Sequence, residues 1–95
     1  MQGHSAANVI PVAAANRIGA EEVTPCEENG NQTSSLCFYG SSFLTDETGD
    51  VISKASRDKE EIIYAEYNFE ENRKMRSSWG LFRDRRPECY GDIVR

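Results

Sequence analysis

The chain has 95 residues, of which 38% are hydrophobic, and it carries a formal net charge of −5 from 11 basic and 16 acidic residues. An acidic chain of this kind lacks the basic face that nucleic acids and anionic membranes require, so we expect neither as a partner. The length fits one small domain, and the hydrophobic fraction predicts a thin core.

The first half of the chain is predicted to contain a helix, a strand and a hairpin. Residues 2–8 are compatible with a helix, although no capping residue precedes them. The apolar run at residues 9–15 begins with β-branched side chains, which predicts a strand that is buried on both faces. Because Pro11 removes one backbone donor, this strand is expected to lie near a sheet edge, to be bulged, or to begin after the proline. Residues 21–26 and 34–39 predict the two arms of a hairpin, because an Asn-Gly pair at its tip is a strong turn signal.

The second half is predicted to contain three strands and a helix, at residues 38–45, 51–55, 61–67 and 69–79. Asn68 can cap the helix, and Glu71 stands three residues later, which is the spacing of a capping box. Gly80 is expected to end the helix. The apolar side chains expected to anchor this helix are Phe69, Met75 and Trp79.

Three cysteines are present, Cys26, Cys37 and Cys89. Their odd number and spacing indicate neither a disulfide framework nor a zinc site, so we expect reduced thiols in a cytoplasmic protein, with Cys37 buried and no metal or cofactor. No apolar run approaches the roughly 20 residues that span a membrane, and the N-terminus lacks the pattern of a secretory signal.

No complete set of catalytic residues is visible in the pattern. A reactive thiol needs a base or a positive environment, and the one histidine, His4, is near none of the cysteines in sequence. The stretch Gly40-Ser41-Ser42 lacks the second glycine of a serine nucleophile turn and is predicted to join strand to strand. The residues alone therefore predict a β-rich α/β unit without catalysis of its own.

The stretch from Trp79 to Tyr90 combines large aromatic side chains with fixed charges. The aromatic groups favour burial, whereas the charged groups need water or ionic partners. Because an aspartate stands among the arginines, we expect a docking or assembly element more than a phosphate site. Its predicted contact residues are Trp79, Phe82, Arg83, Asp84, Arg85, Arg86 and Tyr90.

Three phrases carry a family resemblance: residues 1–19 (MQGHSAANVIPVAAANRIG), 38–43 (FYGSSF) and 78–90 (SWGLFRDRRPECY). They resemble the C-terminal part of the N-carbamoylputrescine amidases, a group within the nitrilase (carbon-nitrogen hydrolase) superfamily. The resemblance implies that residues 1–95 form a C-terminal segment of a single α/β domain with a four-layer αββα sandwich. About four to five strands and two helices of that sandwich are expected here.

The resemblance also implies an activity, the hydrolysis of N-carbamoylputrescine to putrescine, carbon dioxide and ammonia in polyamine synthesis. Homo-oligomers, a small carbamoyl amine substrate and no cofactor are implied with it. The family's catalytic Glu, Lys and Cys precede the matched segment, so no catalytic role passes to this chain, which we expect to be active only within a longer one. The alternative is a non-catalytic fragment that associates with a full-length subunit.

Asn16, Gly40 and Ser42 are the candidate site residues within the chain. By resemblance, the first predicted strand ends on the active-site side, and Asn16 closes it. Its amide would order a pocket loop, with Gly40 and Ser42 in support. The alternative for Asn16 is plain turn capping.

Overall fold

The computed structural model describes residues 1–93. Within that range lie two α-helices, five short strands and two single-turn 3₁₀ helices. The elements run α1 (Gln2–Asn8), β1 (Ala13–Ala14), β2 (Ile18–Glu22), β3 (Ser35–Tyr39), β4 (Phe43–Thr45), β5 (Val51–Lys54) and α2 (Phe69–Trp79), with the 3₁₀ turns at Glu27–Asn29 and Pro87–Cys89. None of the helices in this range has the length and apolar character needed to cross a membrane.

The strands form two separate antiparallel sheets. One sheet has the order β1-β4-β5, with Ala13 opposite Leu44. The other is the hairpin of β2 and β3, in which Ala20 lies opposite Cys37. The prediction of one strand at residues 38–45 is therefore wrong, because the backbone turns at Gly40 and passes from one sheet to the other.

The predicted strand at residues 9–15 is reduced to two residues. Val9 ends α1 in the left-handed conformation, at φ 50°, so the chain turns before it becomes extended. Pro11 then removes a backbone donor, which restricts ladder pairing. The hairpin's first arm begins at Ile18, three residues earlier than predicted, and its tip is a 3₁₀ turn that ends at Gly30.

Residues 61–67 form no strand, contrary to the prediction. Their side chains alternate between exposed and half-buried, as in an extended chain, and Ile62 and Tyr64 are 77% and 81% exposed. A strand needs a neighbouring backbone to complete its hydrogen bonds. None of residues 1–93 pairs with this segment as a strand.

The second helix has the predicted bounds. Asn68 Oδ1 accepts from the backbone N–H groups of Glu70 and Glu71, both at 3.1 Å, and Gly80 ends the helix at φ 59°. The Glu71 carboxylate accepts a hydrogen bond from Lys74 Nζ at 3.1 Å. In a capping box it would instead accept from the backbone N–H of Asn68.

Removing the Asn68 cap is expected to weaken this helix by about 1 kcal/mol, because two helix N–H groups lose their acceptor. In a peptide of residues 66–82, Asn68→Ala should lower helicity measured by circular dichroism. Asn72→Ala is the matched control and should raise helicity, since alanine is the better helix former. Equal helicity in the Asn68→Ala and parent peptides would contradict this assignment of the cap.

The turn between β4 and β5 is built on the Asp46 carboxylate. Its Oδ1 accepts from Thr48 Oγ1 at 2.6 Å, from the Thr48 backbone N–H at 2.8 Å and from the Asp50 N–H at 3.1 Å. The bond from the Thr48 hydroxyl is the main reason that the pKa of Asp46 lies below its ordinary value, with the Thr48, Asp50 and Gly49 backbone groups adding to it.

The lowered pKa of Asp46 predicts a turn that weakens in acid. A carboxyl whose folded pKa is depressed stabilises the fold above its unfolded pKa, about 4, and that contribution is lost as pH falls through the folded value. In a peptide of residues 43–54, the Thr48 amide chemical shift should change below about pH 4. Asp46→Asn should remove this dependence, whereas Asp50→Asn should leave it; an unchanged profile in Asp46→Asn would refute the assignment.

The buried centre of the described chain is small and mainly polar. Val9, 6% exposed, is its only buried apolar side chain, while Ser5, Thr45 and Asn72 are buried polar ones. The predicted anchors Phe69 and Trp79 of α2 are instead 68% and 67% exposed, and Met75 is half-buried. The expectation that apolar side chains hold α2 is therefore wrong, because the face that reaches the centre carries Asn72.

Directed hydrogen bonds join the buried hydroxyls to three parts of the chain. The Val12 N–H donates to Thr45 Oγ1 at 3.0 Å, and the Thr45 hydroxyl donates to Ser5 Oγ at 2.9 Å. The Ser5 hydroxyl, which has one proton, lies 2.6 Å from the carbonyls of both Ile10 and Asp46. We call Ser5 and Thr45 the hydroxyl relay; it fixes α1 against β4 and the entry to β1.

Asn72 ties α2 to the same centre. Its Nδ2 donates to the Val9 carbonyl at 2.7 Å, the residue whose left-handed conformation ends α1. A buried amide that is hydrogen-bonded costs little, whereas an unpaired one is expensive. The two helices are thus related through one specific polar contact.

The chain forms a broad thin layer. It measures 55 × 40 × 15 Å and has a radius of gyration of 20.1 Å, whereas about 12 Å is expected for a compact domain of this length. Its accessible surface is 7853 Å², against about 5,500 Å² for a compact monomer of this mass. Much apolar surface is therefore uncovered on the layer.

Candidate functional site

Three loops meet where the two sheets adjoin. The Asn16 backbone N–H donates to Ser42 Oγ at 2.8 Å, and Asn16 Nδ2 donates to the Gly40 carbonyl at 2.9 Å. The Ser42 hydroxyl in turn donates to the Asn16 carbonyl at 3.3 Å. The structure thus brings together the three residues that the sequence singled out. Their support of a substrate pocket stays a prediction.

Gly40 is required at this junction by space and by conformation. Its φ is +57°, and a Cβ there would lie 2.6 Å from Ile18 Cγ2 and 2.8 Å and 2.9 Å from the carbonyl oxygens of Ser56 and Arg57. Ser41, at φ 60°, continues the left-handed turn. No other residue type fits this backbone without strain or displacement.

The loop after β5 is the third of the loops that meet at this junction. The Ser41 N–H donates to the Ser56 carbonyl at 3.0 Å, and the Ala55 N–H donates to the Ser42 carbonyl at 2.7 Å. The Ser56 N–H donates to the Glu61 carboxylate, and the Lys59 N–H donates to Ser56 Oγ at 3.1 Å. These bonds hold residues 56–61 against the turn at Gly40.

Hydrogen bonds from Ser56 also lower the pKa of the Glu61 carboxyl. The Ser56 backbone N–H is the main cause of a lowered Glu61 pKa, followed by the Ser56 hydroxyl and the positive charge of Lys59. The Arg17 guanidinium forms an ion pair with Glu21 and lies 4.5 Å from the centroid of the Phe38 ring. The Glu61 carboxylate and the Arg17 guanidinium thus each have a specific partner next to this junction.

Between these loops lies a cavity of about 320 Å³, here called the crossing cavity. It is lined by Asn16, Arg17, Ile18, Gly40, Ser42, Ala55, Ser56, Lys59, Glu60 and Glu61. Two cations, two carboxylates and several hydrogen-bonding groups can hold a small polar molecule. The Ser42 hydroxyl is engaged with Asn16, and the one histidine lies in α1, so the cavity has no serine-histidine pair for nucleophilic chemistry.

The three cysteines are all exposed free thiols. The expectation that Cys37 is buried is therefore wrong, because its strand belongs to a two-stranded sheet whose side chains lie mostly in solvent. Across residues 1–93, no group of three or more His, Cys, Asp or Glu side chains is placed to hold a metal ion.

The predicted docking segment, from Trp79 to Tyr90, satisfies many of its charges internally. Arg83 Nε and Nη2 pair with the Asp84 carboxylate oxygens at 2.7 and 2.9 Å. These bonds from Arg83 hold the pKa of Asp84 below its ordinary value. Arg83 Nη1 also donates to the Ser77 carbonyl at 3.1 Å, which fixes the segment to the end of α2.

Charges in the rest of the segment are also paired internally, while the aromatic rings of Trp79 and Phe82 are exposed and Tyr90 is half-buried. The Arg85 guanidinium lies 3.9 Å from the centroid of the Phe82 ring. Arg86 pairs with Glu88 at 2.8 Å, and its N–H is 3.4 Å from Tyr90 Oη. Phe82 is 74% exposed. A docking role for this exposed surface stays a prediction.

A second hollow, of about 510 Å³, lies between α1, α2 and this segment. Its charged lining residues are the four arginines Arg73, Arg76, Arg83 and Arg85. Sequence reasoning missed this arrangement, because the arginines come from two elements and converge only in the fold. It also missed the hydroxyl relay and Asn72, since small polar side chains next to charged or polar neighbours are usually exposed and give no signal of burial.

Similarity to known proteins extends along the chain. The profile of the family described as carbon-nitrogen hydrolase matches residues 1–77. A citrullinase from Francisella tularensis is 50% identical over 95 residues, covering 100% of this chain and 30% of that protein. An N-carbamoylputrescine amidase from Oryza sativa subsp. japonica is 42% identical over 90 residues, covering 95% of this chain and 29% of that protein.

A solved structure shares the fold. The crystal structure of a carbon-nitrogen hydrolase from Helicobacter pylori G27 matches with a TM-score of 0.76 and 37% identity, over 99% of this chain and 30% of that one. The chain thus spans about 30% of the length of these three proteins. The predicted α/β fold, as a portion of the carbon-nitrogen hydrolase sandwich, is confirmed. This chain belongs to the carbon-nitrogen hydrolase family.

Proposed function

We propose that this chain forms the C-terminal part of a hydrolase that cleaves the ureido group of an N-carbamoyl amine, releasing the amine, carbon dioxide and ammonia. The observation that carries the proposal is its similarity, along almost its whole length, to a citrullinase and to an N-carbamoylputrescine amidase. The two substrates that these names imply share one chemical end, a terminal ureido group on a methylene chain. They differ at the other end, where citrulline has an α-carboxylate.

N-carbamoylputrescine is the member of this class that the three sequence phrases favour, with putrescine for polyamine synthesis as the product. A cytoplasmic location fits the three exposed free thiols, which a reducing compartment preserves. Assembly into homo-oligomers is part of the same proposal and is supported by the uncovered aromatic surface of Trp79 and Phe82.

The chemical step needs a thiolate nucleophile, a base and a group that stabilises the oxyanion. We propose that all three come from the rest of the enzyme, because none of the exposed cysteines here belongs to such a set. The chain then supplies a structural layer and one wall of the substrate site. Within that wall, the crossing cavity is the part that is lined by charged residues and whose loops are joined to one another by hydrogen bonds.

The test is a grafted enzyme, in which this chain replaces the matched 95 residues of the Francisella citrullinase. We expect ammonia release from citrulline, N-carbamoylputrescine or both, at no less than about a tenth of the parent rate. The isolated 95-residue chain should release none. A soluble, folded graft that hydrolyses neither compound would contradict the proposal. The parent enzyme with its nucleophile replaced sets the background.

A further inference from the structure

We propose that Asn29 is a site of spontaneous covalent modification, and that the closed hairpin tip, residues 24–32, slows the reaction until the tip opens. In this reaction the Gly30 backbone nitrogen attacks the side-chain carbonyl carbon of Asn29. A five-membered succinimide ring closes, and the side-chain nitrogen leaves as ammonia together with the proton of the Gly30 N–H. Water then opens one of the two C–N bonds of the ring, which produces aspartate or isoaspartate.

Asn29 is the asparagine of this chain that is most open to such an attack. The sequence contains six asparagines, and only Asn29 is followed by glycine. Glycine has no side chain to hinder the approach of its own backbone nitrogen. Gly30 is exposed, and no atom of residues 1–93 beyond its chain neighbours lies within 4 Å of the position that a Cβ would take. Water therefore reaches the peptide bond that must react.

The closed tip holds the electrophile, the Asn29 side-chain amide, away from free rotation. Its Oδ1 accepts from the Cys26 N–H at 3.2 Å and from the Gln32 N–H at 3.1 Å, and its Nδ2 donates to the Thr24 carbonyl at 3.0 Å. Asn29 is half-buried, while the residues on either side of it are exposed. The amide is thus the centre of the tip's hydrogen bonds.

The tip also holds the nucleophile. The Gly30 N–H donates to the Glu27 carbonyl at 3.1 Å, and Gly30 ends the 3₁₀ turn at φ 71°. Ring closure requires that the Gly30 nitrogen give up its proton and that the Asn29 side chain rotate towards it. The bonds of both groups must therefore break before the ring can form, which slows the reaction in the closed tip.

The products cannot rebuild the closed tip. Aspartate and isoaspartate both carry a carboxylate, which at neutral pH has no proton to donate to the Thr24 carbonyl. Isoaspartate also routes the backbone through the former side chain, which lengthens the turn by one carbon. A new negative charge then stands next to Glu27 and Glu28. The modification therefore opens the tip in one direction only.

The test incubates the grafted enzyme at neutral pH and follows each asparagine by peptide mass spectrometry. We expect Asn29 to convert faster than the other five and to yield both aspartate and isoaspartate. Conversion should be roughly ten- to a hundredfold slower in the folded graft than in concentrated urea, because each bond of the tip contributes a factor of about ten or less. Gly30→Ala should slow the conversion in urea, since a side chain then hinders the attacking nitrogen.

A matched pair of variants at Gln32 tests the role of the closed tip without altering the reacting residues. Gln32→Pro removes one N–H donor to Asn29 Oδ1 and disfavours the left-handed conformation of Asn31, whose φ is 56°. It should accelerate conversion in the folded graft about three- to tenfold. Gln32→Ala keeps the N–H and should leave the rate unchanged. In urea the two variants should react alike.

Conversion of Asn29 that is no faster than that of the other asparagines, or that yields aspartate alone, would refute the modification site. A Gln32→Pro rate equal to the Gln32→Ala rate would refute protection by the tip, and a slower one would show that the N–H groups on Oδ1 promote the attack. The bonds of the tip join residues at most five positions apart, so the isolated 95-residue chain serves for the same pair where the graft does not fold. Mass spectrometry needs no substrate turnover, so these outcomes are independent of the proposed function.

Discussion

Gly40→Ala is expected to destabilise the grafted enzyme by roughly 2–5 kcal/mol and to remove most of its ammonia release. The left-handed conformation costs an alanine about 1–2 kcal/mol, and a Cβ in a filled space costs about 1–3 kcal/mol more. The contacts at fault are with Ile18 Cγ2 and with two carbonyl oxygens, which cannot move independently of their loops. Urea unfolding and ammonia release measure the two effects.

Two other glycines separate the causes. Gly19 has a φ of +95°, and the position that a Cβ would take there has no neighbouring atom within 4 Å, so Gly19→Ala should show the conformational cost alone. Gly3 lies in α1 with open space and no positive φ, and Gly3→Ala should be neutral or slightly stabilising. If Gly40→Ala were no worse than Gly19→Ala, the close packing of the three loops would be refuted.

Thr45→Val is expected to cost about 1–3 kcal/mol of the grafted enzyme's unfolding free energy. Valine keeps the shape of threonine but leaves the buried Val12 N–H without its acceptor and Ser5 Oγ without its donor. Urea unfolding is the measurement. Thr33→Val, at an exposed position in the hairpin tip, is the control and should change stability by less than about 0.5 kcal/mol.

The hydroxyl relay also predicts coupling. Ser5→Ala and Thr45→Val remove adjoining members of one chain of hydrogen bonds, so the double variant should lose less than the sum of the two single losses. Strict additivity would show that the two hydroxyls act separately.

Local signals in the sequence were sufficient for α2. Asn68 and Gly80 determine its ends through hydrogen bonds and backbone conformation that involve only nearby residues. The same is true of the turn at Asp46, whose acceptor atom reaches only two and four residues ahead. Such elements can be predicted from sequence because the hydrogen bonds that define them join residues no more than four positions apart.

Elements that depend on distant partners could not be predicted in the same way. The apolar pattern at residues 61–67 indicates a strand, yet no backbone within the described range pairs with it. Cys37 was expected to be buried because it lies in a predicted strand, but within residues 1–93 that strand belongs to a two-stranded sheet whose side chains are mostly exposed. Alternation in sequence reports a preference for burial and cannot report whether a covering surface is present.

The candidate site shows the same division. Asn16, Gly40 and Ser42 were identifiable by resemblance and by glycine's conformational freedom, and the fold places them in contact. Lys59 and Glu60 were not identifiable, because a charged pair in a loop usually faces solvent. Only the meeting of three loops turns that pair into part of a cavity wall.

This thin layer is one part of a sandwich, and we propose that surfaces supplied by the rest of the hydrolase stabilise it. Differential scanning calorimetry of the isolated 95-residue chain would show whether the layer folds without those surfaces. We expect no sharp cooperative heat absorption, because Val9 is the only buried apolar side chain in residues 1–93. A single reversible transition with an enthalpy near 0.7 kcal/mol per residue, roughly the value for a complete small domain, would contradict it.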